Sequence, residues 1–392
     1  MAPTRLTISH RQTSISPVRV VIGGDTYFGE YYQTKRERAG KLNYLKCRGY
    51  DYCLERIRPL LATGDCVVVN LESALTEQTR SKLEGKKGWI LAGDPAKTIA
   101  ALKRTNVTVA MLGNNHAMDY GKSALLETIE HLKASGITPI GAGRNRSVAR
   151  RPFKQTVNVG GRQFKLAIVS AFHFNEFHKN LKFYAGKNRP GVNQLDIPSL
   201  EKQVARLKKD GYFVIVSPHW GQNFFMRNHS QATLANGLIQ AGADLVVGHG
   251  PHMLNELLQQ RGVWVVYSVG NLVFNSEGEY AARQVLPYSL IVELVVEPDG
   301  SGDRLTLNLY PIVSCNRLTA FQPRFVNEAQ FEQVAAALRA LQYNPSYFDR
   351  SIDLQLVDGR YCFSVRLLPS TGPSPNRPEP SASNGPSQAG FA

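Results

Sequence analysis

The stretch DLVVGHGPHML, Asp244 to Leu254, runs an apolar segment into a loop that holds two histidines, His249 and His252, among Gly and Pro. Such a loop is a poor place to sequester an imidazole and a good place to present one, because binding and catalytic groups concentrate on loops held by a rigid scaffold. The apolar segment before the loop reads as a buried strand. The same design, a strand that ends in a polar group, recurs in VRVVIGGD (Val18–Asp25), CVVVNLES (Cys66–Ser73), VTVAMLGNNH (Val107–His116) and YFVIVSPHWG (Tyr212–Gly221). Helical patterns lie between them, at Pro95–Thr105, Ser123–Ser135, Leu200–Asp210 and Gln231–Gly242. Strand-only segments follow, VWVVYSVGNLVF, YSLIVELVVEP and RLTLNLYPIV, and then a last helix at Glu328–Gln342. This order predicts an α/β fold with mixed sheets covered by helices, the later strands adding antiparallel members. In open α/β sheets of this kind, ligands sit beyond the carboxyl ends of the strands.

If those five strands lie side by side, their terminal polar groups share one rim. The groups are Asp25; Asn70 and Glu72; Asn114, Asn115 and His116; His219; His249 and His252. Imidazoles, carboxylates and amide oxygens form a mixed N/O donor set that suits Mn, Fe or Zn, and a bridging carboxylate can hold two ions. Each group alone has an ordinary reading. Asp25 can be a turn residue, Glu72 a helix start, GNNH a turn and His219 a satisfied core histidine. Their shared position after strands favours a metal site. His10, His131, His173, His178 and His229 read as structural or surface residues.

Hydrophobic residues make up 43% of the 392-residue chain, enough for a sizeable core. Lys and Arg number 46 against 31 Asp and Glu, a formal charge of +15 that favours an anionic partner. No basic stripe interleaved with stacking aromatics points to specific nucleic-acid binding. The five cysteines have no framework spacing, which fits reduced thiols and a cytoplasmic protein. No run approaches the ~18 apolar residues of a membrane span, and the first residues lack a signal-peptide core. Residues 1–17 are expected to be flexible, residues 18–368 to form the folded domain, with the helix and strands of 326–368 packed at its end. The Pro-, Ser- and Gly-rich residues 369–392 are expected to be a disordered tail.

The segments GGDTYFG, VVVNLESALT, LGNNHAMDYG, IGAGRN, VSPHWGQN, LIQAGADLVVGHGPHM and VYSVGNLVF occur in the order and spacing of the CapA-type poly-γ-glutamate biosynthesis proteins, and from about Val18 to Phe274 the chain resembles that family. The family is similar in turn to the calcineurin-like metallophosphoesterases. The resemblance implies a four-layer αββα sandwich with a two-metal rim. It implies that Asp25 and His252 serve a first ion and Asn115, His219 and His249 a second, with Glu72 bridging. His116 is implied as the catalytic imidazole beside the substrate, and Asn70 and Asn114 as groups that orient the ligands. The chain departs from the pattern at Tyr27, where phosphoesterases place a His, and at Asn223, where the family often has Glu; it also lacks the family's usual N-terminal anchor. The function implied is metal-dependent hydrolysis of an acidic peptide polymer, poly-γ-glutamate, or a part in its synthesis machinery. The alternatives are a small-molecule or nucleotide phosphoesterase and a non-catalytic accessory subunit.

Overall fold

The computed structural model describes residues 7–9, 16–300, 302–342 and 344–367. Along the strand Val18–Tyr27, alternate side chains part to opposite faces, as a β period of two requires. Val20 and Ile22 enter one core while Val21 enters another. Cys66–Leu71 repeats this: Cys66 and Val68 join the first core, Val67 and Val69 the second. The first core is completed by Phe164, Leu166, Ile168, Ile215, Leu245, Val247, Trp264 and Val266, which belong to a different sheet. The second is closed by Leu60, Leu61, Leu102, Leu125, Ile129 and Leu132, several of them on the helices Pro95–Arg104 and Gly121–Ala134. On the far side of the other sheet, Val169, Val214, Val216 and Val246 pack on Leu200, Val204, Leu207 and Leu238, from the helices Ile197–Lys209 and His229–Gln240. The order of layers is therefore helix, sheet, sheet, helix. Each fully buried aliphatic side chain contributes about 1.5–3 kcal/mol, against about 0–1 kcal/mol for an exposed ion pair. The face-to-face sheets dominate the cohesion.

The larger sheet has the order Thr7–Ser9, Asp353–Val357, Arg360–Leu367, Gly302–Val313, Tyr288–Asp299, Val18–Tyr27, Cys66–Leu71, Val109–Met111, Thr138–Ile140. Its late strands pair antiparallel and its early ones parallel, as the succession of patterns predicts. The smaller sheet runs Gln194–Leu195, Arg162–His173, Phe213–His219, Leu245–Val247, Val263–Val266, Leu257–Gln260.

One detail places the site. Val18–Tyr27 changes partner half-way along. Val18 to Ile22 pair antiparallel with Tyr288–Asp299, whereas Asp25 to Tyr27 pair parallel with Asn271–Phe274. At the switch the register slips between Ile22 and Asp25. A Cβ on Gly24 would stand 1.9 Å from the Gly270 carbonyl oxygen, so only glycine lets the two backbones meet. The Asp25 amide then donates to that same carbonyl at 2.9 Å.

The sequence reading passes over two elements of the smaller sheet, Phe153–Val159 and Arg162–His173. They form a hairpin around Gly160 and Gly161, both at positive φ. A Gly-Gly pair between β-rich runs is a hairpin signature, so the signal was there. Thr7–Ser9, within the N-terminal stretch expected to be flexible, pairs parallel with Asp353–Val357. The rest of residues 1–15 and the tail from Pro369 lie outside the described residues.

Candidate metal centre

The five strand ends meet. Asp25 Oδ1 lies 3.7 Å from His249 Nδ1 and 3.9 Å from His219 Nδ1, and Asp25 Oδ2 lies 3.2 Å from His252 Nδ1. Glu72 Oε1 is 3.6 Å from His219 Nε2 and 3.8 Å from both His252 Nε2 and His116 Nε2. Asp25, Glu72, His116, His219, His249 and His252 are all buried. Asp25, Glu72 and His252 each offer a ligand atom within 4.8 Å of the others, a possible site for a metal ion.

The second contacts of these groups are fixed. Asn70 donates to Asp25 Oδ1 at 2.8 Å and stands 3.1 Å from His219 Nδ1. Asn114 donates to Asn70 Oδ1 at 3.1 Å and accepts from the backbone amides of His116 and Ala117. Gly250 N–H donates to Asp25 Oδ2 at 3.1 Å. His252 has a left-handed backbone, φ 58°, a conformation that costs a non-glycine residue about 1–3 kcal/mol and clusters at functional sites. Its Nδ1 meets Asn271 Oδ1 at 2.9 Å, which turns Nε2 towards Glu72.

Several of these polar atoms have no hydrogen-bond partner among the described residues: both Glu72 oxygens, both His249 ring nitrogens and, on the cavity lining, Asn115 Oδ1 are buried and make no hydrogen bond. Buried polar groups are ordinarily satisfied, and leaving a carboxylate otherwise is expensive. A cation held by oxygen and nitrogen donors would take up the Glu72 oxygens, Asn115 Oδ1 and one nitrogen of His249, so the residues fit a divalent ion. The electrostatics agree. Burial pushes the Glu72 carboxyl well above its ordinary range, so a charged Glu72 calls for positive charge beside it. Burial would also raise Asp25, but the hydrogen bond from His252 and the charge of that imidazole outweigh it and hold the carboxyl low. Burial drives His219 down to about 3 and His249 to about 4. Both imidazoles are thus neutral, the form that ligates.

His116 faces Glu72 with Nε2 and Asp119 with Nδ1, the latter at 2.6 Å from Asp119 Oδ2. The other Asp119 oxygen is paired with Lys87, whose Nζ also lies 3.0 Å from His116 Nδ1 and donates to the Asn115 carbonyl at 2.9 Å. Burial, and then the Lys87 charge, take His116 down to about 4 against the pull of Asp119. The sequence reading does not anticipate Asp119 or Lys87. Asp119 lies three residues after His116 within LGNNHAMDYG, the only trace of its role; Lys87 comes from a basic surface-like segment and leaves none.

A cavity of about 770 Å³ is lined by Asn115, His116, His219 and His252 together with Lys87, Phe172, His173 and His178. His173 and His178, read from sequence as structural or surface residues, are wall residues of this cavity. His173 ends the strand Arg162–His173, and His178 lies on the short helix Glu176–Asn180 that follows it. Tyr27 does not replace a ligand: its hydroxyl donates to the Ala92 carbonyl and accepts from the Tyr31 amide. Asn223 is exposed on the cavity lining.

The model of the bacterial capsule synthesis protein PGA_cap family matches residues 19–276, which include every one of these strand ends. The chain belongs to that family. Its PGA_cap segment is accompanied by similarity to the PGA biosynthesis protein CapA of Bacillus subtilis (strain 168), 30% identical over 281 residues, 71% of this chain and 68% of that one. The capsule biosynthesis protein CapA of Bacillus anthracis is 31% identical over 233 residues, 58% of this chain and 54% of that one. This chain thus spans little more than half of the second relative. Among solved structures, a calcineurin-like phosphoesterase of Bacillus subtilis aligns over 86% of this chain and all of its own, with 13% identity and a TM-score of 0.43. Among the described residues, no helix is long and apolar enough to cross a membrane.

Proposed function

We propose that this PGA_cap protein is a metal-dependent hydrolase that acts on an acidic γ-linked peptide polymer, poly-γ-glutamate, in the making or trimming of capsule-type material. The observation that carries the reading is the set of buried, unpaired donor atoms on Glu72, His249 and Asn115, gathered with Asp25, His219 and His252. Asp25 and His252 would hold one ion, Asn115, His219 and His249 a second, and Glu72 would reach both; Mn, Fe or Zn suits such donors. Bound ions supply Lewis-acid chemistry, drawing charge from a carbonyl or phosphoryl oxygen and acidifying water.

The protein's own groups do the rest. Asn70 and Asn114 hold Asp25 and the His116 loop in place. Asp119 fixes the His116 proton on Nδ1 and leaves Nε2 facing the cavity. From there Nε2 moves a proton to or from the reacting group, a role worth on the order of 10²–10⁴-fold. Lys87 holds Asp119 from its other oxygen. The walls exclude bulk water from the buried carboxylates.

The test is elemental analysis of the purified protein joined to a hydrolysis screen, with poly-γ-glutamate and a generic phosphodiester offered side by side. Bound divalent metal and polymer cleavage abolished by His116→Ala are expected. Cleavage of the phosphodiester alone would move the substrate to phosphoesters. Bound metal with no turnover of either would leave the chain an accessory protein, and absence of metal binding would refute the metal centre.

A further inference from the structure

The mouth of the cavity is unusual for the surface of a charged protein. Trp89 is 52% exposed, Phe177 45% and Phe225 42%, and all three line the opening. They come from three separate segments: the loop before Leu91, the short helix Glu176–Asn180 and the loop between Phe213–His219 and His229–Gln240. Only eight large hydrophobic side chains are exposed among the described residues, so three aromatic rings at one opening are a concentration. Exposed apolar groups gathered at one place mark a binding surface.

Charge at the opening narrows the choice of ligand. Lys35, Arg36, Lys41 and Arg283 line it, against the carboxylates of Glu277 and Glu279. Arg36 and Lys41 are paired with Glu277 and Arg283 with Glu279, while the Arg283 guanidinium also lies over the Phe225 ring, 5.1 Å from its centroid. The mouth thus offers flat apolar faces interleaved with cations, most of them already partnered. An anionic lipid surface pressed on this rim would bury Glu277 and Glu279 against like charge. A flexible chain that carries carboxylates at intervals along an apolar and amide backbone can pass between them, its carboxylates on the cations and its methylenes and amide planes on the rings. Trp89 is also tied to the centre. It follows Lys87 by two residues, and while Lys87 turns inward to Asp119 and His116, Trp89 stays at the mouth.

We infer that Trp89, Phe177 and Phe225 form the subsite that grips an acidic peptide polymer where it enters the cavity. This deepens the proposed function and rests on its choice of polymer.

The protein supplies its own reporter. It has three tryptophans, and the other two, Trp220 and Trp264, are 1% and 2% exposed. Quenching of intrinsic fluorescence by acrylamide therefore reads Trp89. The experiment measures quenching of the full-length protein with and without poly-γ-glutamate at low salt, beside polymer binding followed by anisotropy of a labelled chain. Metal content is measured throughout. The expected result is that saturating polymer lowers the quenching slope at least twofold and that Trp89→Phe removes most of the quenchable signal. Phe177→Ala and Phe225→Ala should each weaken polymer binding several-fold with metal content unchanged. Polymer binding without protection of Trp89 would overturn the subsite and leave the proposed function standing, with the polymer held elsewhere on the basic surface. No polymer binding in any condition would refute the choice of polymer and the subsite with it. Protection of Trp89 by vesicles containing anionic lipid, in the absence of protection by polymer, would overturn the inference in favour of a membrane-facing mouth.

Discussion

The rim of strand ends and the wall that faces it are assembled by different means. On the rim, each donor stands in or shortly after the C-terminal end of its own strand, so hydrogen-bonded pairing brings the donors together; Asp25 stands opposite Asn70 and Asn271 in register. On the wall, Lys87, Phe177 and His178 arrive from loops and a one-turn helix, and only packing brings them to the cavity. The rim depends on strand pairing. The wall depends on the packing of loops, so a substitution there can alter the lining without removing a donor.

The largest effect should come from breaking the rim. Glu72→Gln and His249→Ala should each remove most of the bound metal, with dissociation constants raised well beyond tenfold, while apo melting temperatures stay near that of the parent. The polar atoms removed make no hydrogen bonds among the described residues, so no hydrogen bond is broken. Metal stoichiometry measured beside thermal melting checks this; full metal content with a collapsed melting point would show that the residue is structural.

Lys87→Met should show the converse, with metal retained but turnover of the proposed substrate down by about 10–100-fold. It should also cost about 3–5 kcal/mol, because it strands the buried Asp119 charge. Adding Asp119→Asn should recover part of that stability, a non-additivity expected of residues in contact. Denaturant melts of the two single variants and the double variant measure the coupling, and strict additivity would separate Lys87 from Asp119.

What could be read from the sequence follows the same division. The α/β order, the antiparallel late strands and the donors after their strands could be read because each depends on a few neighbouring residues. Gly24 is an example: its demand for close approach is local, and Asp25 follows it directly. The wall could not be read in this way. Nothing near Lys87 in the chain distinguishes it from Lys82 or Lys86, which are exposed; its burial against Asp119 is decided by a partner 32 residues away. His178 is illegible for a related reason, since its place depends on the hairpin of Phe153–Val159 and Arg162–His173. Asp119 is intermediate, close to His116 in sequence yet given meaning only by the turn between them.

The smallest effect serves as a control away from both regions. Burial raises Glu30 to about 7, although the Tyr50 hydroxyl and the Asp94 amide donate to it. A carboxyl raised above its unfolded value favours the folded state when protonated. That contribution is complete below about pH 4.5 and declines as pH rises through about 7. Glu30→Gln should therefore flatten the fall in stability between those limits, by about 1–3 kcal/mol. Urea midpoints compared at pH 5 and pH 8 test the sign, and an unchanged slope would discount Glu30.

The larger sheet also fixes how the molecule can be leashed. Thr7–Ser9 forms its edge, one strand away from Arg360–Leu367, with Asp353–Val357 between them. Four strands separate that edge from Val18–Tyr27, roughly 24 Å at the usual strand spacing. A linker, a partner domain or a solid support joined before Thr7 or after Leu367 would thus pull on the same border of the molecule, several strands removed from Asp25.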